Sequence, residues 1–269
     1  MAMPETPMPT TLSPDDSDER RFGGLQRLYG VSGAQRIRQA HVAVVGLGGV
    51  GSWSAEALAR SGVGRLTLID MDHIAESNIN RQIHALSVTT GQSKVLAMKA
   101  RIALINPDCQ VDVVDDFVSP ENWPALMTEP PDALIDACDQ VKAKVALAHW
   151  AMVSKVGFIT VGAAGGKRFA HKVDIDDLSR ITHDPLLAQL RYRLRKHHHA
   201  ARGDQRMGVS GVFSRESVAP PDASCGVDGD GSLNCHGYGS VVSVTATFGL
   251  CAASEILNFL AKPQIKPPI

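Results

Sequence analysis

The sequence predicts an α/β protein: a Rossmann-like, doubly wound, mainly parallel sheet with an irregular C-terminal elaboration. Three observations lead there. A short apolar run, His41–Val45 (HVAVV), ends in glycines, as a buried parallel strand does when it opens into a phosphate-binding turn. Strand-like and helix-like segments then alternate up to Gly166, and such alternation folds into a parallel sheet covered on both faces. With 269 residues, 44% of them hydrophobic, the chain has the length and apolar content for one large domain.

The elements follow in order. A helix is expected from about Gly49 to Ser61, and a second strand over Arg65–Asp70 (RLTLID). Lys94 to Asn106 has helical spacing and stops at Asn106-Pro107, where proline disfavours helix in the residue before it. Val111–Val114 is a third strand, Ala133–Asp136 a fourth, Val141–Val156 a helix and Phe158–Val161 a fifth strand. Beyond Gly166 the chain turns polar and irregular, with a glycine-rich loop over 219–239. The expected organisation is a disordered tail over 1–19, a nucleotide-binding domain over 20–166, an elaboration on the same sheet over 167–261 and a Pro-rich tail over 262–269. Val241–Leu260 is almost long enough to span a bilayer. Its Ser243, Thr245, Thr247, Ser254, Glu255 and Asn258 favour a buried core helix over a membrane span.

Composition narrows the function classes. A formal net charge of -1 excludes a molecule-wide basic signature and 5% aromatic residues weigh against a spread base-stacking surface, so the positive charge for any nucleic-acid contact must be local. The five cysteines (Cys109, Cys138, Cys225, Cys235, Cys251) are odd in number and never spaced C-x-x-C, which indicates neither a disulfide framework nor a zinc knuckle. The N-terminal segment lacks the basic-then-apolar order of a secretory signal, and the expected compartment is the reducing cytoplasm.

Gly46-Leu47-Gly48-Gly49-Val50-Gly51 matches G-x-G-x-x-G between a strand and a helix. Glycines let backbone approach phosphate, and the helix N-terminus supplies free N–H donors and partial positive charge. Asp70 ends the next strand, where a carboxylate accepts ribose hydroxyls. These features fit NAD, FAD and ATP alike. A second constellation separates them: Asp72, Asn78 and Arg81 after the second strand, Lys94 at the head of a helix, and Asp136 and Asp139 past the fourth strand. All fall at the carboxyl edge of the sheet. A triphosphate calls for Arg and Lys donors and for a carboxylate to hold Mg²⁺; Arg81, Lys94 and Asp139 are that set. The expected cofactors are ATP and Mg²⁺.

The runs GLGGVGSWSAEALARSGVG, LIDMDHIAESNINRQIHAL, GQSKV, INP and IDACD resemble the ubiquitin-activating-enzyme superfamily, whose bacterial relatives adenylate a carboxylate of sulfur-carrier proteins. The resemblance implies that Asp70 holds the ribose, Arg81 and Lys94 the phosphates and Asp139 the Mg²⁺, with Asn78 lining the phosphate path. It also implies a homodimer, with an N-terminal arginine (Arg21 or Arg27 here) reaching across, and admits a sulfur-relay protein partner. RFGG…RLYG, NRQIHAL, VVDDFV, GAAGG and VTATFG narrow the similarity to the tRNA threonylcarbamoyladenosine dehydratase family. That family uses ATP to activate and cyclise the threonyl carboxylate of a modified adenosine next to the tRNA anticodon. The resemblance therefore implies tRNA as substrate.

Three features stand beside that reading. Cys235, in SLNCHGYGS, is the candidate loop nucleophile; a plain loop thiol is the alternative. Arg191, Arg193, Arg195 and Lys196 form the dense basic segment and are the candidate tRNA-binding residues, against a solvated helix face. Lys167, Arg168 and Lys172 are a second basic group and the alternative tRNA surface. The rival functions are an adenylyltransferase for a sulfur-carrier or ubiquitin-like protein, an NAD-dependent dehydrogenase and a non-catalytic nucleotide-binding scaffold.

Overall fold

The computed structural model describes residues 14–222, 224 and 238–263. A seven-stranded sheet has the order β3-β2-β1-β4-β5-β7-β6. Its strands are β1 (His41–Val45), β2 (Arg65–Ile69), β3 (Gln110–Val114), β4 (Ala133–Asp136), β5 (Gly157–Val161), β6 (Val173–Asp177) and β7 (Ser210–Ser214). Every pairing is parallel except β6 with β7, which is antiparallel. The described helices are α1 (Pro14–Gln39), α2 (Gly51–Arg60), α3 (Lys94–Ile105), α4 (Val141–Ser154), α5 (Pro185–His197) and one over Val242–Ala261, here α6. Strand order reverses between β1 and β4, which places the ligand crevice of this architecture at their carboxyl ends.

β1 shows why the sheet is covered on both faces. All five of its residues are buried. Val42 and Val44 point into a core with α2, α3 and α6, whereas Ala43 and Val45 join a second cluster with Trp123 and Leu147. A third cluster packs α4 against α5 through Ala148, Leu187, Leu190 and Leu194. α6 is a core helix. Val244, Phe248, Ala252, Ile256 and Leu260 are buried in the first cluster, and Ser54 Oγ donates to Gly249 O across the α2–α6 contact (3.0 Å).

Two expectations need correction. The helix begins at Pro14, inside the segment expected to be a disordered tail. Proline at a helix start and the acidic run Asp15, Asp16 favour initiation there. Gly30, at φ 73° and ψ 162°, breaks α1 into two arms. The stretch beyond Gly166 is not irregular either: it supplies α5, β6 and β7. β6 escapes recognition because it is a sheet edge. Val173 and Ile175 alternate with Asp174 and Asp176, and only Asp177 is buried.

Gly249 sets how closely α6 approaches the start of α2. A Cβ there would lie 2.4 Å from Val50 O and 2.9 Å from Trp53 Cβ. Helix propensity alone favours Gly249→Ala by up to about 1 kcal/mol. The contact reverses that sign, and urea unfolding is expected to show a loss of about 1–3 kcal/mol. A stabilised variant would mean that the two helices do not meet here.

Candidate active site

The glycine turn is built by close contact. Gly46 has φ 86°, and a Cβ on it would come within 2.9 Å of Ala137 O, so the turn lies directly on the segment following β4. A Cβ on Gly51 would fall 1.8 Å from Gly46 O. An added Cβ on Gly48 meets nothing within 4 Å, so the turn presents open space there. Val50 makes no side-chain cap to α2; Ser52 N and Trp53 N already donate to Gly48 O and Val50 O, so the donors left for an anion are the amides from Gly48 to Gly51.

Asp70 clamps this turn to β2. Its Oδ2 accepts from Leu47 N (2.6 Å) and its Oδ1 from Asp72 N (2.9 Å). Burial pushes the Asp70 pKa up, against the opposing charge of Lys94. Lys94 is itself buried, with Nζ 2.7 Å from Asp72 Oδ2 and 3.8 Å from Asp70 Oδ1. Arg81 is buried too. Its stem lies on the turn, since a Cβ on Gly49 would meet Arg81 Cγ at 3.2 Å. Arg81 Nη1 donates to Ser77 O (2.7 Å) and Asn80 Oδ1 (2.9 Å), and Trp53 Nε1 donates to Arg81 O (2.9 Å). Two buried cationic residues therefore flank the glycine turn, Arg81 with its stem on Gly49 and Lys94 beside the Asp70 carboxylate that holds Leu47 N. Asp139 is exposed in the turn after β4. Among the described residues no group of three or more His, Cys, Asp or Glu side chains is arranged to hold a metal. Asp139 fits Mg²⁺ held chiefly by nucleotide phosphates and water, a common binding mode for that ion.

Other expected site residues do different work. Asp136 does not face the crevice. It is wholly buried, 3.1 Å from Lys144 Nζ, and accepts from Thr160 Oγ1 (2.6 Å) and Cys138 Sγ (3.0 Å). Asn78 is buried and its Oδ1 accepts from Ala75 N (3.1 Å), so that oxygen caps its own turn rather than lining a phosphate path. Within the basic segment, Arg191 Nη1 donates to Leu178 O and Ile181 O, while Arg195 donates to Ala201 O and Gly203 O. These two arginines tie loops to α5, which leaves Arg193 and Lys196. Arg21 Nη1 donates to Ile105 O (2.9 Å). Cys225 and Cys235 lie outside the described residues.

Lys144 is the residue that sequence reasoning missed. Its Nζ also donates to Thr160 Oγ1 (3.1 Å) and Val161 O (2.7 Å), joining the ends of β4 and β5. The available signal was a lysine within the apolar stripe Ala143, Leu147, Ala148, Ala151 of α4. His84, near enough to Lys94 and Arg101 to feel their charge, was missed as well: it is buried with neither ring nitrogen bonded.

Comparison with known proteins places this geometry. The ThiF family profile matches residues 24–268. The chain belongs to the ThiF family. Among its ThiF-family relatives, tRNA threonylcarbamoyladenosine dehydratase of Haemophilus influenzae is 44% identical over 95% of this chain and 98% of that protein. The Escherichia coli enzyme of the same name is 43% identical over 90% of this chain and 94% of that one. The crystal structure of the E. coli tRNA N6-threonylcarbamoyladenosine dehydratase in complex with ATP has a TM-score of 0.83 at 42% identity, over 91% of this chain and 95% of that one. Its complex with AMP has the same TM-score at 43% identity. Within the ThiF family, the chain therefore groups with the tRNA threonylcarbamoyladenosine dehydratases.

Two predictions follow from the buried groups. Lys144→Met strands the Asp136 carboxylate and is expected to cost about 3–5 kcal/mol in urea unfolding. Adding Asp136→Leu removes the stranded charge and is expected to recover most of that loss; equal losses in the single and double variants would argue against the pair. Burial, followed by the charges of Lys94 and Arg101, lowers the His84 pKa from 6.5 to about 4. Between those two values the unfolded chain binds the proton and the folded chain does not, so this group's contribution is lost as pH falls. By pH 5 the wild type is expected to lose about 2 kcal/mol that His84→Gln retains, measured as the difference between their pH–stability curves. Parallel curves would refute the assignment.

Proposed function

We propose that this chain is an ATP-dependent dehydratase that activates and cyclises the threonyl carboxylate of N6-threonylcarbamoyladenosine in tRNA. The observation that carries the reading is the placement of Arg81 and Lys94, both buried, beside the glycine turn. A dinucleotide's pyrophosphate is satisfied by the turn and helix end alone; a triphosphate undergoing attack needs the added cations. The family and the nucleotide complexes of its relative support the same choice over NAD.

The residues take these roles. The amides of the turn and of α2 bind phosphate oxygens, and the free lone pairs of Asp70 accept ribose hydroxyls. Arg81 and Lys94 stabilise the negative charge that develops as a substrate carboxylate oxygen attacks phosphorus and the phosphate leaving group departs. Lys94 reaches that charge by leaving Asp72, which is exposed and holds it when no phosphate is bound. Asp139 together with the phosphates would hold Mg²⁺, which would supply further charge neutralisation. The substrate's own nitrogen then attacks the activated acyl carbon and loses its proton, and the nucleotide-derived group departs with the former carboxylate oxygen. The modified nucleoside thus loses one water overall. Reaction within one substrate supplies its own effective concentration, so no enzyme nucleophile is required and Cys235 stays outside the minimal mechanism.

The working unit is a cytoplasmic homodimer. Exposed Leu86, Val88 and Leu96, which flank Lys94 in sequence, support association. A sulfur-relay protein is the further partner that the superfamily resemblance implies.

Purified protein incubated with ATP·Mg²⁺ and threonylcarbamoylated tRNA is expected to yield a nucleoside lighter by one water. Asp139→Asn is expected to lower turnover by about a hundred-fold or more while weakening ATP binding less, because a hard cation needs the charge rather than the shape. ATP at about a hundred times its Kd is expected to stabilise the fold by about 2.7 kcal/mol, with NAD well below that. Greater stabilisation by NAD, or near-normal turnover of Asp139→Asn, would overturn these assignments.

A further inference from the structure

We infer that the exposed strip Arg168-Phe169-Ala170-His171-Lys172, with Arg215 beside it, is the surface that receives the RNA loop carrying the modified adenosine; this rests on the tRNA reading above. Its place in the fold is the first argument. The strip leads into β6 at Val173, which pairs with Ser214 at the carboxyl end of β7. It therefore lies on the same sheet edge as the glycine turn. A continuous path joins them. Arg81 bonds Asn80, Asn80 Nδ2 donates to Ser240 O (3.1 Å), and Gly166 N donates to Gly239 O (2.9 Å). Phe169 follows Gly166 by three residues.

Its chemistry is the second argument. Arg168, Phe169, His171, Lys172 and Arg215 are all exposed, and Phe169 keeps 47% of its surface. Lys172 Nζ sits 4.9 Å from the centroid of the Phe169 ring, and the His171 ring is 5.7 Å from it. Single-stranded RNA is gripped by this combination: aromatic faces for unstacked bases and cations for phosphates. The acidic neighbours do not cancel it. The Glu216 carboxylate accepts from the backbone amides of Arg168 and Phe169 and so fixes the strip's conformation. Asp174 pairs with Arg215, and Asp222, near Arg168, accepts from Ser224. Lys167 is not part of the surface: it is buried, with Nζ bonded to His183 O and Glu216 O.

The basic end of α5 is the poorer candidate on geometry as well as on committed side chains. α5 starts at the carboxyl edge, where Asp184 accepts from Ala163 N, and runs toward the start of β7. Arg193 and Lys196 therefore sit toward the amino edge, about 10–20 Å along the helix from its start.

The test measures binding of labelled threonylcarbamoylated tRNA to the full chain across a salt titration, with the ATP-induced rise in melting temperature followed in parallel. Phe169→Ala is expected to weaken binding roughly ten-fold or more with little change of salt slope. Arg168→Ala with Lys172→Ala is expected to weaken it and lower the slope by about 1.4, at about 0.7 per phosphate contact on single-stranded RNA. The ATP response is expected to stay at the wild-type level in both. Wild-type affinity and slope in both variants, or loss only in Arg193→Ala with Lys196→Ala, would overturn the surface and leave the tRNA reading standing. Failure of the wild type to bind tRNA while still responding to ATP would overturn both.

Discussion

The ion pair between Lys144 and Asp136 lies beneath everything that the site does. Both side chains are wholly buried, a placement that is costly unless every polar atom finds a partner. Here the partners are the last residues of two neighbouring strands: the Asp136 carboxylate at the end of β4, Thr160 Oγ1 and Val161 O at the end of β5. The pair holds these ends in register and so fixes the path of Ala137, Cys138 and Asp139. The glycine turn packs on that path, because Gly46 approaches Ala137 O too closely for any side chain. The phosphate-binding turn and the exposed carboxylate of Asp139 are thus positioned from below by one buried charge pair.

Above that floor, the site is organised around negative charge. Asp70 is spent largely on holding Leu47 N and Asp72 N, and Asp72 holds Lys94. Arg81 is anchored through Nη1, so the stems and one face of its guanidinium are fixed before any ligand arrives. Arg81, set in place in advance, stabilises charge without reorganising when it develops, whereas Lys94 exchanges the Asp72 carboxylate for phosphate. This suits attack of a weak nucleophile, a carboxylate, on phosphorus. It does not explain hydride transfer, which creates no comparable charge at the turn. The same sheet edge continues past Gly166 to the half-exposed Phe169, so one edge carries both the nucleotide crevice and a surface suited to an RNA loop.

Much of this was legible in the sequence, and the exceptions have physical causes. HVAVV and RLTLID announce buried strands because their apolar runs are unbroken, and the glycine spacing announces the turn because backbone packing tolerates nothing else there. Arg81 and Lys94 stand out in the sequence because their residue types match phosphate chemistry, and the structure buries both beside the glycine turn. Asp136 misled because the motif places a carboxylate at the strand end without showing which way it points; its partner Lys144 lies eight residues on, in a helix of apolar appearance. β6 was illegible because edge strands alternate with polar residues. The dense run of charge on α5 drew attention for its composition, whereas two of its arginines bind backbone carbonyls and their neighbours sit toward the far edge of the sheet. Phe169 is a single aromatic with no periodic signal, and only the fold brings it to the nucleotide side.

The central claim is that ATP activates the substrate's carboxylate. The most direct measurement labels that carboxylate of threonylcarbamoylated tRNA with a heavy-oxygen isotope, runs a single turnover with ATP·Mg²⁺, and follows the label by mass spectrometry. Activation followed by cyclisation transfers one labelled oxygen to the nucleotide-derived product: to AMP if the intermediate is an adenylate, to phosphate if it is an acyl phosphate. Cyclised product formed with no label in either, its lost oxygen recovered in water, would contradict the account.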